Sequence, residues 1–238
     1  MINTVLFDLD GTLLPINDKV FEKLYFGGLV EHLKDLISAQ DLIELIWACI
    51  QETVLDISDK TNEEAFFEAM AKRVDAQKLE TMKQRFMHFY ATDFDRVRHA
   101  VVPSPTLKEA IHKLKDKGYR CVIATNPLFP RLAIEKRIEW TGIERHHFDY
   151  VSSFEDNHFC KPQVKFYQEI LDHIHAQADE CLMVGNDATE DMIARTLGIQ
   201  TFLLTDHKIQ KGDHFYKADA EGDAKAFLDF VCDLPKLS

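Results

Sequence analysis

Two aspartates, Asp8 and Asp10, stand two residues apart at the end of the apolar run 5–7. Because side chains alternate along an extended chain, two carboxylates at this spacing point the same way. Gly11 and Thr12 follow them, and a glycine lets the backbone turn so that its N–H groups face an anion. The arrangement suits a carboxylate nucleophile and a carboxylic acid/base that work beside a metal ion and a phosphate.

Further polar side chains follow three later stretches of the chain. They are Thr125 and Asn126 after the apolar run 121–124, Lys161 after the stretch that begins at 149, and Asn186 and Asp187 after the run 181–184, with Asp191 four residues beyond. In open parallel sheets, ligands bind beyond the carboxyl ends of the strands. Asp8, Thr125 and Asp187 each follow a predicted strand, so we expect these residues to converge.

The elements that would position these side chains alternate between strand and helix. The sequence predicts strands over 3–8, 120–125, 148–154, 181–184 and 200–204, and helices over 106–115, 131–140, 164–173, 189–197 and 224–232. Such alternation predicts an α/β fold with a parallel, doubly wound sheet.

The segment 16–100 has a different pattern, because its apolar residues recur at helical spacing. Thr61 and Glu64 form a capping-box motif ahead of an apolar helix, and a further helix is predicted over 77–90. We interpret the aromatic side chains of this region as core rather than as a substrate pocket: Phe86, Phe89, Tyr90 and Phe94. The sequence therefore predicts an all-helical block inserted after the first strand.

Composition limits the classes of partner. The chain has 238 residues and a formal net charge of −12. Because acidic surfaces repel nucleic acids and anionic membranes, we expect neither as a partner. The five cysteines include no Cys-x-x-Cys pair, which favours a reducing compartment. With no predicted secretory signal and no apolar run of about 20 residues, we expect a cytoplasmic protein.

The order and spacing of the four motifs, from Asp8 to Asp191, resemble those of the haloacid dehalogenase superfamily, most of whose members are phosphatases. The resemblance implies a Rossmann-like core domain that comprises residues 1–15 and 101–238. It also implies that residues 16–100 form a smaller, all-helical cap domain inserted after the first motif.

The resemblance implies a role for each residue that would act on the phosphate. Asp8 would be the nucleophile, and Asp10 would be the general acid and base. Thr125 and Asn126 would donate hydrogen bonds to phosphoryl oxygens, and Lys161 would offset the negative charge.

Mg²⁺ is the cofactor that the resemblance implies. Its ligands would be Asp8, the backbone carbonyl of Asp10, and Asp187, because Mg²⁺ prefers hard oxygen ligands. Asn186 and Asp191 would lie at outer positions of the metal site. The asparagine at position 186 departs from the family's commoner acid, which puts the contribution of Asn186 in question but not that of Asp187.

Two lysines compete for the third motif, Lys161 and Lys165, which lie one helical turn apart. Lys161 is preferred because the family places its lysine directly before a proline, and Pro162 follows. In an alternative role, Asp191 would hold Lys161 in place rather than contribute to the metal site.

The expected activity is the Mg²⁺-dependent hydrolysis of a small phosphate monoester through an aspartyl-phosphate, similar to that of a phosphoglycolate phosphatase. The partner would be a small phosphorylated metabolite, and the protein a monomer or a homodimer. A sugar phosphomutase would use the same two aspartates and is the alternative. A 2-haloacid dehalogenase is disfavoured by Asp10, because expelling a halide needs no proton and the family's dehalogenases lack this second aspartate. The intact motif set also disfavours a binding protein without turnover.

Overall fold

The computed structural model describes residues 1–213 and 215–237 and has one six-stranded parallel sheet at its centre. The strands, in the spatial order β3-β2-β1-β4-β5-β6, are β1 (Thr4–Phe7), β2 (Arg120–Ile123), β3 (Tyr150–Val151), β4 (Cys181–Gly185), β5 (Gln200–Leu204) and β6 (Ala220–Gly222). The predicted α/β fold with a parallel, doubly wound sheet is confirmed.

Alternation along β1 explains why the sheet is covered on both faces. Val5 and Phe7 belong to one apolar cluster, with α5 (Pro105–Asp116), α6 (Arg131–Trp140) and α8 (Ala224–Asp233). Leu6 belongs to a second cluster on the opposite face, with α7 (Val164–Ile174). Since both faces of a parallel sheet are covered, its central strands are buried along their whole length, as β1 and β4 are.

Four helices lie between β1 and α5: α1 (Asp18–Leu33), α2 (Ala39–Leu55), α3 (Asn62–Ala71) and α4 (Ala76–Thr92), followed by a 3-10 helix, Phe94–Ala100. We call residues 16–100 the helical segment. Each of its four α-helices begins at a side chain that accepts a hydrogen bond from the first turn, namely Asn17, Ser38, Thr61 and Asp75. The capping box of Thr61 and Glu64 is present as predicted.

The chain enters and leaves the helical segment at adjacent points. Ile16 and Val101 pair in an antiparallel bridge. The Asn17 N–H donates to the carbonyl of Ala100 at 2.9 Å, and the Val102 N–H donates to the carbonyl of Pro15 at 3.1 Å. The two segments that connect the helical segment to the rest of the chain are therefore held side by side.

The helical segment also contacts the loop between β3 and α7. The backbone N–H of Glu63 donates to the carbonyl of Phe154 at 3.0 Å. Gln163 Nε2 donates to the carbonyls of Val54 at 2.7 Å and Asp56 at 3.0 Å. The beginning of α3 and the end of α2 thus pack against the loop that carries Lys161.

Two element predictions are wrong in detail, and one strand was not predicted. The strand predicted over 148–154 is limited to Tyr150–Val151. The helix predicted over 189–197 is a 3-10 helix, Met192–Leu197. At its start the Ala194 N–H donates to the carbonyl of Asp191, three residues back, as in a 3-10 helix rather than an α-helix. Strand β6 was not predicted, and its short sequence Ala-Glu-Gly has no apolar alternation. Within residues 1–213 and 215–237, no helix has both the length and the apolar character needed to cross a bilayer.

Candidate active site

The predicted site residues come together at the carboxyl ends of three adjacent central strands. Asp8 follows β1, and its N–H donates to the carbonyl of Val184 in β4 at 2.9 Å. Thr125 and Asn126 follow β2, and Asp187 follows β4. Because β2, β1 and β4 are parallel and in register, the segments that follow them leave the sheet at the same edge.

Lys161 reaches this edge from the loop between β3 and α7. Its Nζ lies 2.9 Å from Asp8 Oδ1 and 2.6 Å from Asp191 Oδ1, and its side chain is 1% exposed. Burial alone would lower the pKa of Lys161, but the carboxylates of Asp191 and Asp8 raise it well above its usual value. Lys161 is therefore a buried ammonium that bridges two acids. Lys165 is exposed, and its Nζ lies 4.9 Å from the centre of the Phe159 ring instead.

The loop after β4 is shaped by its own carboxylates. Asp187 Oδ1 accepts hydrogen bonds from the N–H groups of Thr189 at 2.7 Å and Glu190 at 2.8 Å. Asp191 Oδ2 accepts from the Asp187 N–H at 2.9 Å, while Asp191 Oδ1 binds Lys161. Asp191 thus contacts both the loop backbone and the lysine, in agreement with the alternative of a residue that holds Lys161.

Asn186 connects the first and last motifs. The Thr12 hydroxyl donates to Asn186 Oδ1 at 3.1 Å, and Asn186 Nδ2 donates to the carbonyl of His207 at 2.7 Å. Gly11, whose φ is 77°, lies so close that a Cβ there would be 2.4 Å from Asn186 Nδ2. The amide therefore fastens the turn after β1 to the loop after β4, a contact that a carboxylate at this position could not make in the same way, since it lacks an N–H donor.

Asn126 holds the lysine loop in position. Asn126 Oδ1 accepts from the backbone N–H of Lys161 at 3.2 Å, and Asn126 Nδ2 donates to Glu190 Oε2 at 3.4 Å. Thr125 is buried, and its carbonyl accepts from the Ser152 hydroxyl at 2.7 Å. Glu190 was not singled out in the sequence. Burial raises the pKa of Glu190, although Lys161 opposes that rise.

Asp10 is paired with a residue that the motifs do not contain. Arg137, in α6, is fully buried, and its Nη1 donates to Asp10 Oδ2. The guanidinium carbon also lies 4.3 Å from the centre of the Phe129 ring. Among the described residues, neither Asp10 Oδ1 nor Arg137 Nη2 has a hydrogen-bond partner, although both atoms are buried. Burial raises the pKa of Asp10, and the Arg137 charge opposes this.

A weak sequence signal could have identified Arg137. It lies four residues after Ala133 and three after Ile134, on the face of α6 that is otherwise apolar and buried. A charged side chain on such a face needs a partner, because burying an unpaired charge is costly. Nothing in the sequence of α6 indicates that the partner is Asp10.

The residues of this edge fit a divalent cation. Acidic groups outnumber basic ones: the acids are Asp8, Asp10, Asp187, Glu190 and Asp191, and the bases are Lys161 and Arg137. Hard carboxylate and carbonyl oxygens are the ligands that Mg²⁺ prefers. Asp8, Asp187 and the carbonyl of Asp10 are therefore a donor set of the right chemical type.

Comparison with known proteins agrees with this arrangement. A family model for haloacid dehalogenase-like hydrolases matches residues 2–211. Pyrophosphatase PpaX of Bacillus mycoides (strain KBAB4) is 26% identical over 204 residues, which cover 86% of this chain and 84% of that protein.

Solved structures share the fold. A predicted phosphoglycolate phosphatase from Haemophilus somnus 129PT aligns with a TM-score of 0.61 and 18% identity, over 97% of this chain and 98% of that one. The L-2-haloacid dehalogenase from Xanthobacter autotrophicus aligns with a TM-score of 0.61 and 14% identity, over 98% of this chain and 100% of that one. The family model covers most of the sequence, and the chain therefore belongs to the haloacid dehalogenase-like hydrolases.

Proposed function

We propose that this hydrolase is a Mg²⁺-dependent phosphatase that acts on a small phosphate monoester through an aspartyl-phosphate on Asp8. One observation carries the proposal: the buried Lys161 ammonium lies between Asp8 and Asp191, beside the Asp187 loop. A cation in this position offsets charge where an anionic nucleophile meets an anionic phosphate. The names of the phosphatase relatives support the same reaction class.

In the proposed reaction, an Asp8 oxygen attacks phosphorus, and the bond to the ester oxygen breaks. Asp10, in its acid form, gives its proton to the departing alkoxide. Asp10 then takes a proton from a water molecule, whose oxygen attacks phosphorus and releases phosphate and the free Asp8 carboxylate. The backbone next to Lys161 is held by Asn126, so that the ammonium stays beside Asp8 through both steps.

Mg²⁺ would be held by Asp8, Asp187 and the backbone carbonyl of Asp10, where it would offset the negative charge that Asp8 and the phosphate bring together. The helical segment, residues 16–100, would act as the cap domain over a core of residues 1–15 and 101–238. Its contacts with the loop of Lys161 support this division, since they place it beside the proposed site. A cap in contact with the site excludes bulk water and selects the leaving group.

Asp10 distinguishes the proposed reaction from carbon–halogen cleavage. A halide leaves without a proton, so a general acid at this position has no task in a dehalogenase. The likeness to the L-2-haloacid dehalogenase is one of fold, at 14% identity.

The test is phosphate release from a panel of metabolite phosphates by the purified protein, with and without Mg²⁺. We expect release that needs Mg²⁺ and falls by about a thousandfold or more in Asp8→Asn, because the nucleophile is lost. An exposed aspartate, Asp229→Asn in α8, is the matched control. Wild-type rates in Asp8→Asn would contradict the proposal, and an isomer with little free phosphate would indicate a phosphomutase.

A further inference from the structure

An apolar cavity lies between the helical segment and the loop that follows β2. Its volume is about 40 Å³. A cavity of that size holds roughly three water-sized groups. Nine of its twelve lining residues come from α1–α4, and the others are Leu128, Pro130 and Phe154. All four aromatic residues predicted as core are buried in the core, and two of them, Phe86 and Tyr90, also line the cavity.

The cavity is joined to the proposed acid by a short series of contacts. Asp10 binds Arg137, whose guanidinium lies over the Phe129 ring. The Phe129 ring is 5.5 Å from that of Tyr25, which lines the cavity. Leu128, also in the lining, donates its N–H to the carbonyl of Asn126 at 2.8 Å. The cavity lining therefore includes part of the loop that carries Asn126, and contacts through Arg137 and Phe129 connect it to Asp10.

The chemistry of the lining excludes a negatively charged occupant. None of the twelve described lining residues is a lysine, arginine or histidine, and Glu63 supplies a carboxyl group. The hydroxyls of Tyr25 and Tyr90 lie 2.8 Å apart and share one hydrogen bond, in which either can be the donor. Lys83, outside the lining, has its Nζ 4.6 Å from the centre of the Phe67 ring. A carboxylate or second phosphate in the cavity would lose its hydration without gaining a cationic partner.

We propose that this cavity receives the leaving group of the substrate, and that this group is uncharged and apolar, of small branched-alkyl size. The inference rests on the proposed phosphatase function and names the substrate class for the same site. It differs from the substrates in the names of the relatives, pyrophosphate and phosphoglycolate, because each of those carries a second anionic group. Burial of the alkyl group, rather than an ion pair, would supply the selectivity.

The experiment compares two primary alkyl monoesters, isobutyl phosphate and phosphoglycolate, with pyrophosphate and with acetyl phosphate as a small reporter of turnover. We expect kcat/KM for isobutyl phosphate to exceed that for phosphoglycolate and for pyrophosphate by about tenfold or more. Titration calorimetry with isobutylphosphonate and phosphonoacetate, which are not hydrolysed, should give the same order of affinity.

Two variants tie the preference to the cavity. Ile50→Phe fills it, so the ratio of kcat/KM for isobutyl phosphate to that for acetyl phosphate should fall by about tenfold. Ile57→Phe is the matched control, because Ile57 is 67% exposed and outside the lining, and it should leave the ratio unchanged. Glu63→Gln removes the lining carboxylate and should raise kcat/KM for phosphoglycolate several-fold.

The outcomes separate the two proposals. Asp8-dependent hydrolysis of acetyl phosphate with a preference for phosphoglycolate or pyrophosphate would overturn the cavity inference and leave the phosphatase function standing. An unchanged ratio in a folded Ile50→Phe protein would do the same. No phosphate release from any of the four compounds would overturn both.

Discussion

Lys161 joins acids that follow two neighbouring strands, β1 and β4, and its side chain is buried. Removing one partner of such a group leaves an uncompensated charge in the interior. The acids on either side, Asp8 and Asp191, come from distant parts of the sequence. Lys161 is therefore expected to matter for stability as well as for chemistry.

Lys161→Met should lower the free energy of unfolding by about 3–5 kcal/mol, because Asp8 and Asp191 are left buried without a cation. Urea unfolding measures the change. Lys165→Met is the control, four residues on and exposed, and should change stability by less than about 0.5 kcal/mol. Adding Asp191→Asn to Lys161→Met should restore part of the loss, and a strictly additive double variant would contradict the account.

Arg137 sets the charge environment of Asp10. In Arg137→Met the influence that lowers the pKa of Asp10 is gone while burial, which raises it, remains, so the pKa rises further. Asp10 must be deprotonated to act as a base on water, so the low-pH limb of kcat should move to higher pH. At a pH on that limb, kcat of Arg137→Met should therefore fall below that of the wild type.

The pH–rate profile checks this expectation. Arg137→Lys, which keeps the positive charge, should shift the limb less than Arg137→Met does. Arg131→Met, on the same helix but more exposed, should leave the limb in place. A limb that moves to lower pH in Arg137→Met would show that Asp10 is not controlled in this way.

At the scale of elements, close packing of the strand ends positions these side chains. Gly185 ends β4, and a Cβ added there would lie 2.2 Å from Asp191 Cγ. No side chain fits at that distance unless Asp191 moves. The Asp191 carboxylate, which binds Lys161, therefore packs directly against the backbone of Gly185.

Gly185→Ala should displace Asp191 and misalign Lys161, which lowers kcat and costs about 1–3 kcal/mol in unfolding free energy. Thermal unfolding and phosphate release measure the two effects. Gly27→Ala, in α1, is the control, because nothing lies within 4 Å of its added Cβ. There the helix should gain up to ~1 kcal/mol. Unaltered kcat in Gly185→Ala would contradict the positioning role of Asp191.

Regular elements were predictable where local pattern and tertiary packing agree. Strand β5 and helix α5 match their predicted ranges within one residue at each end, because an apolar run or a helical face is bounded by turn residues. The helix predicted over 189–197 is shorter and of the 3-10 type, because the Ala194 N–H bonds to the carbonyl three residues back, which local spacing does not reveal. The convergence of Asp8, Thr125 and Asp187 followed from the predicted strand ends, whereas the position of Lys161 was implied by the resemblance to the family. The pairing of Asp10 with Arg137 did not, because it depends on how α6 packs against the turn after β1.

At the scale of the whole molecule, the net charge of −12 opposes the approach of an anionic substrate. The local cations at the site are paired with carboxylates, so they extend little attraction into solvent. Association should therefore depend on ionic strength in the opposite sense to that of a phosphate-binding protein with a basic surface.

Raising NaCl from about 0.01 to about 0.15 M shortens the screening length from ~30 to ~8 Å. At constant free Mg²⁺, we expect kcat/KM for a dianionic phosphate ester to rise roughly twofold or more, with kcat little changed. Initial rates across the salt series measure both parameters. A fall in kcat/KM with salt would mean that a local positive field, rather than the overall charge, governs association.

The bridge between Ile16 and Val101 pairs the two connections to the helical segment, so that both meet the rest of the chain at one place. A rotation of the helical segment by a few degrees about this bridge would leave Asp8 and Asp10 nearly still, because both lie close to the bridge along the chain. The end of α2 and the beginning of α3 contact Phe154 and Gln163, which lie on either side of Lys161. A displacement of these helices would therefore reach the loop of the ammonium through their hydrogen bonds.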